Sequence, residues 1–150
     1  MYHRIVERRI RRTFADLNAG DVDYAARQFV EPVRHAMVGD HALGGTRCTE
    51  PKVREWYARL HRIFPDLRFE LLAVLVRGWP WHTVIAAEWT DHFTLRDGTQ
   101  GSNQGVHVVE LRWGRAKALT VHCDTARLKS YLERIGAAGV AEALAAPIAD

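Results

Sequence analysis

The sequence is poor in anything that would staple or anchor it. Two cysteines, Cys48 and Cys123, among 150 residues are too few for a disulfide framework or a zinc module, and their thiols are expected to be reduced. The longest unbroken apolar run is six residues, Leu71 to Val76. A helix needs about 20 to cross a bilayer. The opening Met1-Tyr2-His3-Arg4 lacks the apolar core of a signal peptide. These absences predict a cytoplasmic protein with no membrane partner. Neither a low-complexity tract nor a long block of one charge argues for disorder. Lysine is scarce as well, 3 residues against 18 arginines.

What is present suits a globular chain: 47% hydrophobic and 26% charged residues. A domain of this length buries roughly 70% of the surface its unfolded form exposes, so it folds without a staple. A net charge of +3 and a pI near 9.1 are compatible with nucleic-acid binding. The basic residues, however, are spread along the chain. Their one cluster, Arg4, Arg8, Arg9, Arg11 and Arg12, shares its segment with Glu7 and Asp16. That pattern reads as a solvated helix face, and no nucleic-acid partner is expected.

Periodicity divides the chain into a helical first part and a strand-rich second part. Ile5 or Val6, Ile10, Phe14 and Leu17 recur at helical steps, and Asn18-Ala19-Gly20-Asp21 ends that helix. A short second helix is predicted over Asp21 to Phe29, closed by Pro32. A strand follows over Arg34 to Gly39, then a loop from Asp40 to Arg47. Thr49-Glu50-Pro51 starts a third helix with Trp56 or Tyr57, Leu60 and Phe64 on its apolar face, stopped by Pro65. Strands are predicted over Leu71 to Arg77, Thr83 to Leu95, Gly105 to Trp113 and Ala116 to Cys123. Turns at Gly78 to His82, Asp97-Gly98 and Gly114-Arg115 separate them. The Trp79-Pro80-Trp81 stretch reads as a stiff hairpin tip, or as an interface if exposed. A last helix runs from Thr125 to Ile135 before Gly136. The class is α+β: one domain with helices against a mostly antiparallel sheet, the core domain over 1–136 and an Ala-rich tail or short helix over 137–150.

Three stretches carry a family resemblance over about residues 4 to 136. They are Asn18-Ala19-Gly20-Asp21, the boundary Phe64-Pro65-Asp66-Leu67-Arg68-Phe69-Glu70, and the ending Asp124-x-x-x-Leu128-x-x-x-Leu132-x-x-Ile135-Gly136. Together they resemble the SnoaL-like branch of the nuclear-transport-factor-2-like superfamily, to which ketosteroid isomerase and limonene epoxide hydrolase also belong. The resemblance implies a cone, in which a curved sheet wraps against helices around a deep apolar pocket, and a homodimer formed through the sheet. Because one cone hosts many chemistries, the reaction must be argued from the pocket.

Strand parity nominates the pocket residues. On Thr83 to Leu95 one face carries Ile85, Ala87, Trp89, Asp91 and Phe93, apolar apart from a single carboxylate. Facing inward, Asp91 would have a raised pKa suited to acid–base work; at the rim it would pair with an arginine. In limonene epoxide hydrolase an Arg and an Asp stand two apart on a similar strand. Here those positions hold Trp89 and Asp91, so the arginine is missing. His107, with Val109 and Leu111, is assigned to the inner face of its strand, as a catalyst or as a hydrogen-bonded core residue.

His122 and Asp124 share a face of the last strand. In SnoaL-like cyclases an Asp just before the terminal helix is the acid/base, and Asp124 stands there; equally, it suits a helix N-cap. His107, His122 and Asp124 also spell a possible metal set, although no metal is expected. The early strand offers His35 and Met37. It has no Asp between residues 32 and 39 where ketosteroid isomerase keeps its base, and Phe14 or Thr13 stands near that enzyme's oxyanion Tyr.

The expectation is therefore a SnoaL-like small-molecule enzyme without a cofactor. It would perform cyclisation, isomerisation or hydrolysis on a hydrophobic, polyketide-like or cyclic substrate. Asp124, His107, Asp91 and His122 are the candidate catalytic residues. Trp89, Phe93, Tyr57, Met37, Phe14 and His35 are the candidate substrate-binding residues. The alternative is a non-catalytic ligand-binding or assembly module of the same fold.

Overall fold

Apolar spacing sets the helices of the computed structural model, which describes residues Met1–Asp150. Helix α1 (Tyr2–Asn18) buries Val6, Phe14 and Leu17 and leaves Ile5 57% exposed, which settles which of the two neighbours faces the core. Gly20 breaks the helix at φ 84. Asp21 then caps the short α2 (Val22–Arg27) by accepting the Tyr24 N–H. Helix α3 (Glu50–Ile63) starts at Thr49 with a proline in its first turn and buries Val53, Trp56, Tyr57, Leu60 and Ile63.

Strand β1 (Phe29–Met37) begins five residues before the predicted strand, and Pro32 lies inside it rather than closing a helix. The β1–β6 register slips between Phe29 and Arg34, so the residue without an N–H falls where no ladder bond is required. A further short strand, β2 (Gly45–Arg47), forms in the predicted loop and pairs with His35, Ala36 and Met37. The other strands are β3 (Arg68–Trp79), β4 (His82–Thr94), β5 (Gln100–Arg112) and β6 (Arg115–Cys123). They make one six-stranded curved sheet in the order β2-β1-β6-β5-β4-β3, parallel only between β1 and β6. The α+β class predicted from the sequence is the observed one.

Helix α4 (Thr125–Ala137) buries Leu128, Leu132 and Ile135. The Ala-rich tail contains a 3-10 turn, Ala141–Leu144, and buries Ala143 and Ile148. It is tied to the link between β2 and α3: the Asp150 carboxylate accepts the Cys48 N–H and the Thr49 hydroxyl, both at 2.5 Å. The helices cover one face of the sheet. The other face leaves Leu72 and Leu75 of β3 exposed. No helix is long and apolar enough to cross a membrane.

Candidate active site

Alternation along β4 and β5 builds the site. In β4 the inward residues Trp89, Asp91 and Phe93 lie across from Gly105, Asn103 and Gly101 of β5. The two glycines make room for the two rings. A Cβ on Gly101 would run into the Phe93 ring, and one on Gly105 would collide with the Trp89 ring and the His122 carbonyl. Between those aromatic pairs, the Asn103 backbone N–H donates to Asp91 Oδ1 at 2.6 Å. Asn103 is itself held, its Nδ2 donating to the Asp124 carbonyl at 3.1 Å.

Asp91 is only 8% exposed. Burial pushes its carboxyl up to about 6, against the opposing pull of the Asn103 N–H. His107, buried beside Phe14, Phe69 and Trp89, accepts the Trp89 indole N–H at Nδ1 across 2.6 Å. Burial drives its pKa down to about 3, so the ring is neutral and its proton sits on Nε2. His107 is therefore a hydrogen-bond donor into the interior, not a base.

Two internal cavities meet at these groups. The first, about 40 Å³, is lined by Asp91, Asn103, His107, Tyr57, Trp89 and Phe93 among mainly apolar side chains that include Met37. The second, about 60 Å³, lies between α1 and the sheet, with Phe14, Thr13 and Gln28 in its wall. His107, Tyr57 and Leu17 line both. One enclosed water needs roughly 10–15 Å³, so each cavity has room for only a few waters, and a cyclic ligand requires its walls to move. The deep open pocket implied by the resemblance is largely filled by aromatic rings.

The other candidates fall elsewhere. Asp124 is the N-cap of α4: its Oδ1 accepts the Arg127 N–H at 3.0 Å and its side chain is exposed, outside both cavities. His122 is exposed on the outer face of the sheet. His122 and Asp124 line a groove of about 540 Å³ on that outer face, whereas His107 points inward, so the three do not converge. No cluster of three His, Cys, Asp or Glu has a metal-binding arrangement. His35 is fully buried but lines neither cavity; it packs against Phe29, Trp56 and Tyr57.

Arg47, at the end of the predicted loop, holds His35 in place. It is fully buried without a carboxylate partner. Its Nε donates to His35 Nδ1 at 3.0 Å, and its other N–H groups donate to the Gly44, Gly45 and Ile148 carbonyls at 2.8–2.9 Å. Burial lowers its pKa to about 10, which leaves it charged at neutral pH. His35 Nε2 has no partner. Asn103, Gly101 and Gly105 were missed in the sequence. The glycines sit four apart on one strand parity, a signal that room is being left for facing rings.

A curved six-stranded sheet closed on one face by helices over a small apolar interior defines a cone-type α+β fold. Residues 10–119 match the SnoaL-like domain, and the chain belongs to that family. Among solved structures it is similar to a nuclear-transport-factor-2-like protein of unknown function from Burkholderia pseudomallei, with 20% identity, a TM-score of 0.69, and 84% of this chain and 93% of that one covered. TerC, co-crystallised with polyporic acid, gives 21% identity and a TM-score of 0.65 over 82% and 92% of the two chains. PrhC from Penicillium brasilianum gives 14% identity and a TM-score of 0.72, with 89% of each chain covered. At these identities the likeness shows the fold alone. No curated protein sequence matches the chain.

Proposed function

We propose that the protein is a cofactor-free acid–base enzyme that enolises a hydrophobic cyclic carbonyl compound. The observation that carries this reading is the pairing, in one apolar cavity, of the Asp91 carboxyl and the neutral His107 N–H. A carboxyl with a pKa near 6 is mostly ionised at neutral pH yet more basic than an ordinary carboxylate, which suits it to act as a general base. Asp91 takes a proton from the carbon beside the carbonyl, and the C–H electron pair moves towards the carbonyl oxygen. His107 Nε2–H donates to that oxygen as charge develops on it. Return of the proton from Asp91 to a different carbon gives isomerisation. Attack of the enolate carbon on a second carbonyl of the same molecule, with the proton passing to the new alkoxide, gives ring closure. Trp89, Phe93, Tyr57 and Met37 are the apolar walls in this reading, and Phe14 the wall of the second cavity. The crystallisation of TerC with polyporic acid supports a small-molecule ligand in this fold.

Deuterium uptake tests it. The probe 2-tetralone is incubated in D2O with the wild type, Asp91→Asn and His107→Phe, and exchange beside the carbonyl is followed by NMR. Wild-type exchange above buffer, reduced about a hundredfold or more in Asp91→Asn, is expected. No exchange above buffer with any cyclic ketone tried overturns the proposal. The small volume of the cavities favours, in that event, the non-catalytic binding or assembly module.

The same reading includes a homodimer through the outer sheet face, supported by the exposed Leu72 and Leu75 there. Light scattering of the wild type and Leu75→Glu tests it: the wild type should have twice the monomer mass and the variant should not.

A further inference from the structure

Three tryptophans that are far apart in the sequence meet at one end of the molecule. Trp79 and Trp81 flank the β3–β4 turn, and Trp113 forms the β5–β6 turn with Gly114. They are 60%, 55% and 73% exposed. The rings of Trp79 and Trp81 stack at 6.1 Å with 16° between their planes, and Trp81 lies 6.5 Å from Trp113. The Trp113 N–H donates to the Pro80 carbonyl at 2.7 Å, which clasps the two turns together. The start of α1 is pinned to the same end: Tyr2 to Thr83, His3 to the Gly78 carbonyl, and Arg9 to the Gly114 carbonyl.

Trp113 is the only residue other than glycine with a left-handed backbone, at φ 51, and Gly114 follows at φ 74. Two consecutive left-handed residues make the tight hairpin turn that favours Asn-Gly, not a bulky aromatic. The turn would form more easily without the indole, so the indole is there for what it does in the open.

Charge points to the occupant. Arg4, Arg8, Arg77, Arg112 and Arg115 are exposed around this end, and none has a carboxylate within ion-pair distance. The acids nearby, Glu7 and Glu110, already face Arg11 and His82. Met1 is fully exposed beside them. Amphipathic indoles ringed by unpaired guanidinium groups match the boundary between anionic headgroups and acyl chains. A single-stranded nucleic acid fits less well: it needs a groove to track its backbone and open ring faces for its bases, whereas these tips line none of the principal cavities and two of the rings cover each other. We propose that this end is a docking surface for an anionic lipid bilayer. The sequence suggested no membrane partner because it has no spanning segment; surface docking needs none, and only the fold brings the three indoles together.

Co-sedimentation with phosphatidylcholine vesicles, with and without phosphatidylglycerol, tests this on the full chain. The wild type should partition to the anionic vesicles, less so at high salt, and brominated lipid should quench its tryptophan emission. The double variant Trp81→Ser, Trp113→Asn should lose about tenfold or more in partitioning. The single change Trp113→Asn should do so in part with no fall in melting temperature. Arg112→Ala with Arg115→Ala should remove the preference for anionic lipid. Equal partitioning to both vesicles, undiminished binding by the double variant, or tryptophan quenching by an oligothymidylate in place of vesicles overturns the proposal. So does a change from dimer to monomer in the tryptophan variant without a change in vesicle binding.

Discussion

Trp89 of β4 donates its indole N–H to Nδ1 of His107 on the neighbouring strand, at 2.6 Å, over the vacant face of Gly105. That bond fixes the imidazole tautomer and so decides which nitrogen carries the proton. Trp89→Phe keeps the ring and removes the donor. It should leave a buried acceptor unpaired, cost about 1–3 kcal/mol in denaturant unfolding, and release the tautomer preference seen in the His107 15N shifts.

Gly105→Ala attacks the same relationship through space. The added Cβ would stand 2.6 Å from the Trp89 ring and closer still to the His122 carbonyl, so either the ring or strand β6 must shift. A loss of about 1–3 kcal/mol is expected, measured by chemical unfolding, with the His107 shifts moving as in Trp89→Phe.

The acid-range stability carries opposing slopes, Asp91 on one side and the buried imidazoles of His107 and His35 on the other. Asp91 is raised in the fold from 3.8 to about 6, so protonation favours the native state. Its contribution is full below about pH 4 and is lost as pH rises through 6. His107 is lowered from 6.5 to about 3. Its contribution is full above pH 6.5 and is lost as pH falls towards 3. Between pH 4 and 6 the two partly cancel. Asp91→Asn should therefore steepen the loss of stability on acidification, and should gain up to about 3 kcal/mol at pH 8, where the buried charge is gone. His107→Phe should flatten the acid side. Denaturant titrations across this pH range check both.

Asp124→Ala separates a cap from a catalyst. Loss of the bond to the Arg127 N–H should cost about 1 kcal/mol. Deuterium uptake by the ketone probe should stay at the wild-type rate, because the carboxylate lies outside both cavities.

Arg47→Leu should be far more damaging. It strips the buried Gly44 and Ile148 carbonyls, the part-buried Gly45 carbonyl and His35 Nδ1 of their donors and should cost about 3–5 kcal/mol. With the Ile148 carbonyl released, the tail should become cleavable by limited proteolysis before the rest of the chain.

Much of this architecture was legible in advance because it rests on local pattern. Alternation along Thr83 to Leu95 puts Trp89, Asp91 and Phe93 on one face, and that face is the buried one. The helices follow their apolar spacing. The start of β5 is not legible because Gln100 to Gln104 are polar or glycine: Gly101 leaves room for the Phe93 ring, Asn103 serves Asp91, and the outward Gln100, Ser102 and Gln104 carry no strand signal. The His35–Arg47 pair could not be read at all: it needs β2, which forms only by pairing with β1, and a carbonyl from Ile148 at the other end of the chain. Cavity volume was equally hidden, since it is what remains after every side chain is packed. Whether a capping Asp and a catalytic Asp differ depends on which side of the sheet the backbone leaves them, and Asp124 shows how one strand end can satisfy either pattern.

The single parallel pairing in the sheet, β1 against β6, sets an order of assembly. Strands β3 to β6 are joined by short turns and can zip locally, one hairpin after another. Strand β1 has no long antiparallel neighbour: its partners are the three-residue β2 and the distant β6, whose pairings join Phe29 to Ala116 and Met37 to Val121. During synthesis, β1 must therefore wait until the last strand has emerged, whereas α1 can already dock on β3 and β4 through Tyr2–Thr83, His3–Gly78 and Asn18–Phe69. Closing so long a loop carries a large entropic cost, so the β1–β6 pairing is expected to form after the local β3 to β6 hairpins, the last seam of the sheet to close.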